Sequence, residues 1–187
     1  MRFPAWVFLY AVLAGCALAP RQVAAPTSTD PALGRESYKL GTGDRIRIEV
    51  FGEPDLSTEE TLEALGTINY PLLGRIQAAG LTLKDLEQSI AGRLRQGYLV
   101  NPSIRATIVQ FRPIYVVGQV HHAGSFPYSE GLTVEKAVAL AGGLTPIASS
   151  RKIYVLHEGA AEQGRQHASL ETPVYPGDTI VVEESLF

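Results

Sequence analysis

The sequence predicts an α+β fold in two small domains, and three observations in the 187-residue chain support this prediction. Residues 45–50 alternate apolar with charged side chains, which is typical of a strand with one buried face. Residues 83–94 place apolar side chains at helical spacing after a capping threonine, Thr82. Residues 114–118 then begin a second series of strand, helix and strands. This order favours small mixed sheets that each cover a helix over a doubly wound parallel sheet.

Composition and charge limit the classes of function. The chain is 45% hydrophobic and 19% charged, which fits a globular protein. Its formal net charge is −3 and no basic cluster exceeds two residues, so we expect no nucleic-acid partner. A single cysteine, Cys16, cannot form an internal disulfide bond.

The amino terminus has the features of a lipoprotein signal peptide, predicted over residues 1–15. An apolar run follows Arg2, and Leu13-Ala14-Gly15-Cys16 resembles the bacterial lipobox. This motif implies cleavage between Gly15 and Cys16 and lipidation of the Cys16 thiol, so that acyl chains tether the mature protein. An ordinary signal peptide followed by a chance cysteine is the alternative. Residues 16–37, rich in Ala, Pro, Thr and Ser, are predicted to be a flexible, lipid-anchored linker.

The first domain is predicted over residues 38–112. Gly41-Thr42-Gly43-Asp44 is a turn that leads into the alternating strand. We then expect one short strand in residues 66–74 and a segment, residues 75–80, that leads into the helix. A last strand is expected from Ile104 to Gln110.

The second domain is predicted over residues 113–187 as a β-grasp-like arrangement, in which a small mixed sheet covers one helix. Thr133 caps that helix, and Gly142-Gly143 ends it. The other expected segments are a strand at 114–118, a turn-rich stretch at 119–127, strands at 152–156 and 179–183, and a polar loop at 159–169. Tyr175-Pro176-Gly177-Asp178 repeats the earlier Gly-Asp turn, and the two strands that follow these turns are expected to be corresponding edges of two stacked modules.

Motifs for catalysis and cofactor binding are absent from the sequence, so we predict neither an enzyme nor a cofactor. Gly41-Thr42-Gly43 lacks the third glycine of a dinucleotide site, and no glycine-rich run ends in lysine as a phosphate loop requires. His121 and His122 are adjacent and would point to opposite faces of a strand, so a solvated position explains them better than a metal site. Arg45 and Arg47 suggest contacts with an anionic polymer, but a solvated strand face is the preferred interpretation.

Several short motifs occur in the order found in the bacterial outer-membrane polysaccharide export proteins, and the chain resembles this family. In the first domain the matching segments are Tyr38–Asp44, Phe51–Asp55, Tyr70–Gly74, Ala79–Thr82 and Asn101-Pro102. The second domain resembles the soluble-ligand-binding β-grasp domain of the same family, through Val117–Val120, Ala123–Pro127, Leu132-Thr133 and Ala141–Gly143. Leu65-Gly66 and Ala123-Gly124 stand where the family usually has Asp-Gly and Pro-Gly, and both departures fall in turns.

The resemblance implies a ring-shaped homo-oligomer that conducts capsular polysaccharide or exopolysaccharide through the periplasm. It would be held at the periplasmic face of the outer membrane by the Cys16 lipids, because Ala17 replaces the aspartate that retains many lipoproteins at the inner membrane. Its implied partners are the polysaccharide, an inner-membrane polysaccharide co-polymerase and a separate outer-membrane β-barrel protein. Longer relatives continue into a membrane-spanning helix, whereas only Ser185–Phe187 follow the last strand here, so a short form is expected.

The alternative is a monomeric envelope lipoprotein that binds a soluble ligand or scaffolds an envelope complex. The residues that contact polysaccharide are not predicted, although a conduit should bind its cargo weakly. Six tyrosines could stack on sugars, but tyrosines on strands are more often half-buried packing residues. These are Tyr70, Tyr98, Tyr115, Tyr128, Tyr154 and Tyr175.

Overall fold

The computed structural model describes residues 37–160 and 164–185, which form an α+β architecture with two hydrophobic cores. The first core is built from residues between Leu40 and Ala106, and the second from residues between Ile114 and Val182. The predicted signal peptide, Gly15, Cys16 and nearly all of the predicted linker lie outside the described residues.

The first core is covered by a three-stranded sheet, a hairpin and a helix. The elements are β1 (Arg45–Val50), a short 3-10 turn (Pro54–Leu56), β2 (Thr58–Thr61), β3 (Thr67–Tyr70), β4 (Gly74–Gln77), α1 (Leu83–Leu94) and β5 (Ile104–Gln110). The sheet has the order β2-β1-β5 with both pairings antiparallel, and β3 pairs with β4 separately. As predicted, the three apolar residues of β1 are buried and its three charged residues are exposed.

Helix α1 begins at the predicted capping box. Thr82 Oγ1 accepts a hydrogen bond from the Asp85 backbone N–H at 3.2 Å, and Asp85 Oδ2 accepts one from the Thr82 backbone N–H at 3.3 Å. Leu86, Ile90 and Leu94 then lie fully buried along one face, which closes the first core.

The second core lies between a five-stranded sheet and a short helix. The elements are β6 (Ile114–Gly118), β7 (Gly124–Phe126), α2 (Val134–Leu140), β8 (Ala148–Leu156), β9 (Gln166–Ala168) and β10 (Thr179–Glu184). The sheet order is β7-β6-β10-β8-β9, with β10 parallel to β6 and antiparallel to β8, so the sheet is mixed as predicted. Helix α2 ends before Gly142 and Gly143, whose φ angles of 80° and 90° provide the predicted left-handed termination.

Two predictions for residues 66–80 are wrong. Residues 66–74 do not form one strand, because β3 ends at Tyr70 and a turn containing Leu72, with φ of 63°, leads into β4. Residues 75–77 belong to β4 and not to a segment that leads into the helix. The hairpin register places Ile68 opposite Ile76 and buries both side chains, which accounts for this pairing.

The Gly-Asp strands are not edges of their sheets, so that expectation is also wrong. Strand β1 lies between β2 and β5, and β10 lies between β6 and β8. A central strand is hydrogen-bonded on both sides. Each Gly-Asp turn therefore leads into a strand that is anchored from two directions.

Candidate functional site

The two Gly-Asp turns share the same internal geometry. In each, the aspartate accepts a hydrogen bond from the backbone N–H three residues earlier, Gly41 N to Asp44 Oδ2 and Tyr175 N to Asp178 Oδ2, both at 2.8 Å. Each aspartate N–H donates back to the carbonyl of that residue at 3.1 Å. The glycine before each aspartate has a positive φ, 91° and 86°, which favours glycine at this turn position. Both aspartates are buried.

Arg112, in the connection between β5 and β6, joins the two domains at these turns. Its backbone N–H donates to Asp44 Oδ1 at 2.8 Å, and its Nη1 donates to Asp44 Oδ2 at 2.9 Å. Its Nε lies 2.5 Å from Glu158 Oε2, in an ion pair whose N–H is not aligned for a hydrogen bond. Only 14% of the Arg112 side chain is exposed, and the Asp44 side chain is fully buried. Arg112 thus connects a turn of the first domain to an acidic side chain of the second.

Gly41 and Gly177 bring the backbone close to the Arg112 guanidinium. A Cβ atom at Gly41 would overlap Arg112 Nη1. A Cβ atom at Gly177 would lie 2.7 Å from Arg112 Nε and 2.5 Å from Glu158 Oε2. The absence of a side chain at these positions leaves room for the guanidinium between the two turns.

Tyr38 is the fourth residue of this cluster, and we call the place where Tyr38, Asp44, Arg112 and Glu158 meet the junction. Its hydroxyl donates to Asp44 Oδ2 and accepts from Arg112 Nη1, each at 2.7 Å, and the guanidinium carbon lies 5.6 Å from its ring centroid. The pKa of Tyr38 is raised far above the ordinary tyrosine value, first because burial disfavours the phenolate and second because the hydroxyl donates to Asp44. Phe111 contacts Tyr38 and Tyr128 edge-on, with 5.2 Å between ring centroids in each pair, so aromatic contacts also cross the junction.

The junction is suited to holding the domains in a fixed relation. Asp178 Oδ1 lies 2.9 Å from His157 Nδ1, so this second aspartate also has a side-chain partner. Asp44, Asp178 and Glu158 each contact a protein donor or cation, and for the two buried aspartates the loss of such a partner would be costly. Across the described ranges, no group of three or more His, Cys, Asp or Glu side chains is placed to hold a metal ion. His121 and His122 are both exposed, which fits the solvated interpretation.

A groove lies at the end of the first domain opposite the junction. Strand β1 leads away from Asp44 at the junction to Phe51, and β5 returns from the groove to Arg112. The groove has a volume of about 980 Å³, and its lining includes Glu49, Phe51, Ser57, Glu87, Ser103 and Arg105. We call it the Phe51 groove because the Phe51 ring, 90% exposed, is its most exposed apolar feature.

The second domain exposes a partly apolar sheet face on the side away from α2. Val117, Val181 and Tyr154 lie side by side on adjacent strands in register. Tyr154 contacts His167 edge-on at 5.8 Å, and Tyr115, 45% exposed, precedes Val117 by two residues on β6. Residues two apart on a strand share a face, so these side chains belong to one surface.

Of the residues singled out from the sequence, the structure describes Arg45 and Arg47 but not Gly15 and Cys16. Arg45 and Arg47 are half-exposed, and both form ion pairs with Glu59, at 2.7 and 2.8 Å. Their charges are therefore partly compensated, as expected for a solvated strand face. Gly15 and Cys16 lie outside the described residues, so cleavage and lipidation remain predictions.

The six tyrosines divide into three groups. Tyr70 is buried, and its hydroxyl donates to the Leu56 carbonyl at 2.8 Å, so it is a packing residue. Tyr128 and Tyr154 are half-buried against other rings. Tyr98, Tyr115 and Tyr175 are exposed, at 51%, 45% and 55%, and remain available to a ligand.

Sequence reasoning missed Arg112 and Phe51. Arg112 binds a carboxylate 68 residues away, and no local pattern identifies such a partner. Its place just before Pro113, at the predicted domain boundary, is the only local signal. Phe51 continues the alternation of β1 on its charged face, so the alternation itself predicts an exposed aromatic ring at that end of the strand.

Two family models match the sequence. The model described as "Polysaccharide biosynthesis/export protein" matches residues 34–109, and the SLBB domain model matches residues 113–166. Arg112 lies in the short interval between the two matched ranges.

Curated relatives match both domains or part of them. The exopolysaccharide production protein ExoF of Rhizobium meliloti (strain 1021) is 28% identical over 188 residues, which cover 88% of this chain and 45% of ExoF. The polysialic acid transport protein KpsD of Escherichia coli is 24% identical over 124 residues, which cover 65% of this chain and 22% of KpsD. The chain therefore spans less than half the length of these relatives.

Proposed function

This chain belongs to the polysaccharide export protein family, and from that premise we propose that it is a periplasmic, lipid-anchored component of a capsular polysaccharide or exopolysaccharide export apparatus. The names of its relatives describe production of an exopolysaccharide and transport of polysialic acid. In the proposed role the protein guides a polymer and catalyses no reaction.

The observation that carries the proposal is the junction between the two matched domains. Arg112, Asp44 and Tyr38 form a buried polar cluster where the domains meet, and Glu158 adds a contact from the second domain. A subunit that lines a conduit must keep a fixed shape while the polymer moves past it. The contacts that cross the junction resist separation of the domains, because separation would break the Arg112–Glu158 ion pair and the Phe111–Tyr128 ring contact.

Anchoring is proposed through Cys16. One acyl chain binds a bilayer only marginally, whereas two or more hold a protein stably, and lipoprotein processing supplies more than one. Among the described residues no helix is long and apolar enough to cross a membrane. The proposed anchor places the folded domains at the periplasmic face of the outer membrane.

In the proposed assembly, several copies of the chain form a ring through which the polymer passes. An inner-membrane co-polymerase would deliver the polymer to the ring, and a separate outer-membrane β-barrel protein would receive it. Contacts between the ring and the polymer should be weak and repeated, because a chain bound tightly at one position would not advance.

Deletion of the gene tests the export role. We expect surface polysaccharide to disappear while its lipid-linked precursor persists inside the cell, and the wild-type gene should restore the surface polymer. Unchanged surface polysaccharide would argue against the proposal.

Light scattering of the full lipidated chain in detergent tests the ring. A measured mass of one subunit, both alone and with the barrel partner, would support the monomeric lipoprotein alternative.

Replacement of Cys16 tests the anchor separately. Cys16→Ser removes the thiol that lipidation requires, so we expect the protein to leave the membrane fraction. Metabolic labelling with palmitate should label the wild-type chain and not the variant. Equal membrane association of both chains would exclude this anchor while leaving the export role open.

A further inference from the structure

We infer that the Phe51 groove binds a short segment of the exported polysaccharide. The inference rests on the proposed export role and adds a specific site to it. The groove lies at the far end of β1 and β5 from the junction, so its occupancy does not disturb the contacts of Arg112. Its volume of about 980 Å³ is at the upper end of the range of small-molecule sites and leaves room for several sugar rings.

The backbone of Phe51 is held in place by hydrogen bonds, although its side chain is exposed to solvent. Its backbone N–H donates to the Ser103 carbonyl at 2.9 Å, and the following Gly52, with φ of 84°, turns the chain away from the strand. Glu53 N donates to the Val50 carbonyl at 3.1 Å, which closes this turn. Because the backbone is fixed, only the two side-chain torsions of Phe51 lose freedom when a ligand packs against its exposed ring.

Polar groups beside the ring are free to bind a ligand. Glu49 and Arg105 lie directly opposite each other on β1 and β5, both exposed. Yet within residues 37–160 and 164–185 neither side chain has a hydrogen-bond or ion-pair partner. Arg45 and Arg47, on the same face of β1, are by contrast both occupied by Glu59. Glu49 and Arg105, which have no partner among the described residues, are therefore the charged side chains of β1 and β5 that line the groove.

A saccharide matches this combination of groups. The C–H face of a sugar ring packs on an aromatic plane, while its hydroxyls donate to a carboxylate and accept from a guanidinium. Glu87 Oε1 accepts a hydrogen bond from Ala106 N at 2.7 Å, so one wall of the groove is also fixed. A protein partner would favour an apolar groove centre, whereas half of the ten residues that line this groove are Glu, Ser or Arg.

Saturation-transfer difference NMR tests the site on the full lipidated chain in detergent micelles. The probe is a set of oligosaccharides released from the polysaccharide that the host strain secretes. The method detects weak ligands, and we expect a dissociation constant on the order of millimolar. Phe51→Ala should weaken binding by about tenfold, because it removes the stacking surface. Arg105→Gln should weaken it by a few-fold.

Tyr115→Ala is the matched control, since Tyr115 is an exposed aromatic residue on a strand of the other domain. We expect Tyr115→Ala to bind the oligosaccharides with the same affinity as the wild type. The inference is overturned if the wild-type chain gives no saturation transfer, if Phe51→Ala binds as well as the wild type, or if Tyr115→Ala is the variant that loses binding. Phe51 is too exposed for its removal to unfold the domain, so loss of binding reports on the groove.

The outcome separates this inference from the export role. If gene deletion stops export but Phe51→Ala neither binds less nor exports less, the export role stands and the groove is not a sugar site. If the oligosaccharides bind at the groove but deletion leaves the surface polymer unchanged, the site stands and the export role fails.

Discussion

Arg112 and Asp44 lie 68 positions apart in sequence and are joined by two hydrogen bonds, one from the Arg112 backbone and one from its side chain. Asp44 is fully buried, so its charge depends on these donors and on Tyr38. Arg112 in turn contacts Glu158 of the second domain. One side chain therefore compensates a buried charge of the first domain and fixes the orientation of the second.

Replacing Arg112 should destabilise the protein strongly. Arg112→Ala leaves Asp44 buried without its cation, and loss of one partner from a buried pair typically costs about 3–5 kcal/mol. We expect urea denaturation to show this decrease in the free energy of unfolding. Arg151→Ala is the control, because Arg151 is exposed, and it should change stability by less than about 0.5 kcal/mol. Equal effects of the two substitutions would contradict the assigned role of Arg112.

Gly177→Ala should lower the stability of the protein by more than the backbone strain of alanine at a positive φ accounts for. Gly177 and Gly159 have similar φ angles, 86° and 80°, so alanine at either position costs about 1–2 kcal/mol of strain. A new Cβ at Gly177 would also crowd Arg112 and Glu158, whereas at Gly159 no atom of the described residues lies within 4 Å of a Cβ. We expect Gly177→Ala to have the lower melting temperature in calorimetry. A similar decrease for both variants would show that Arg112 and Glu158 move aside at no cost.

Local patterns predicted those parts of the fold that local physics determines. The alternation in β1, the capping box at Thr82 and the glycines after α2 each depend on residues within a few positions, and all three are confirmed. The mixed sheet of the second domain is also confirmed, and its neighbouring strands β6 and β10 are rich in the β-branched residues that strands favour.

Elements that depend on distant partners were not predicted. Strand β2 (Thr58–Thr61) has no apolar residue to reveal it, and it forms because β1 offers backbone groups and Arg47 pairs with Glu59. Strand β9 (Gln166–Ala168) lies in the segment predicted as a polar loop and likewise forms on an existing strand, β8. The Arg112 cluster belongs to the same class, since Asp44 and Glu158, which both contact Arg112, are far apart in sequence.

Tyr38 should ionise only when the junction opens at high pH. Its pKa is raised by burial and by the hydrogen bond to Asp44, so the stability it contributes is present below the ordinary tyrosine pKa of about 10 and is lost as the pH rises through the folded-state pKa. Absorbance of the phenolate at alkaline pH should show a late-titrating group in the wild type. Tyr38→Phe should remove one phenol from this late phase, and an unchanged late phase would exclude Tyr38 as its source.

Loss of the cap at Thr82 should alter stability in a pH-dependent way. Thr82→Ala removes an N-cap, which typically costs about 1 kcal/mol of unfolding free energy. The Thr82 hydroxyl, and then its backbone N–H, also hold the pKa of Asp85 below its usual value. The stability linked to Asp85 is therefore fully present above about pH 4 and lost as the pH falls through the folded-state pKa.

Thr133→Ala is the matched control, because Thr133 caps α2 through Lys136 N, and Lys136 stands where Asp85 stands in α1. Urea denaturation from pH 7 to pH 3 should show a shallower acid-side decrease for Thr82→Ala than for the wild type or Thr133→Ala. Parallel curves for the three proteins would show that Thr82 acts on the helix backbone alone and not on the charge of Asp85.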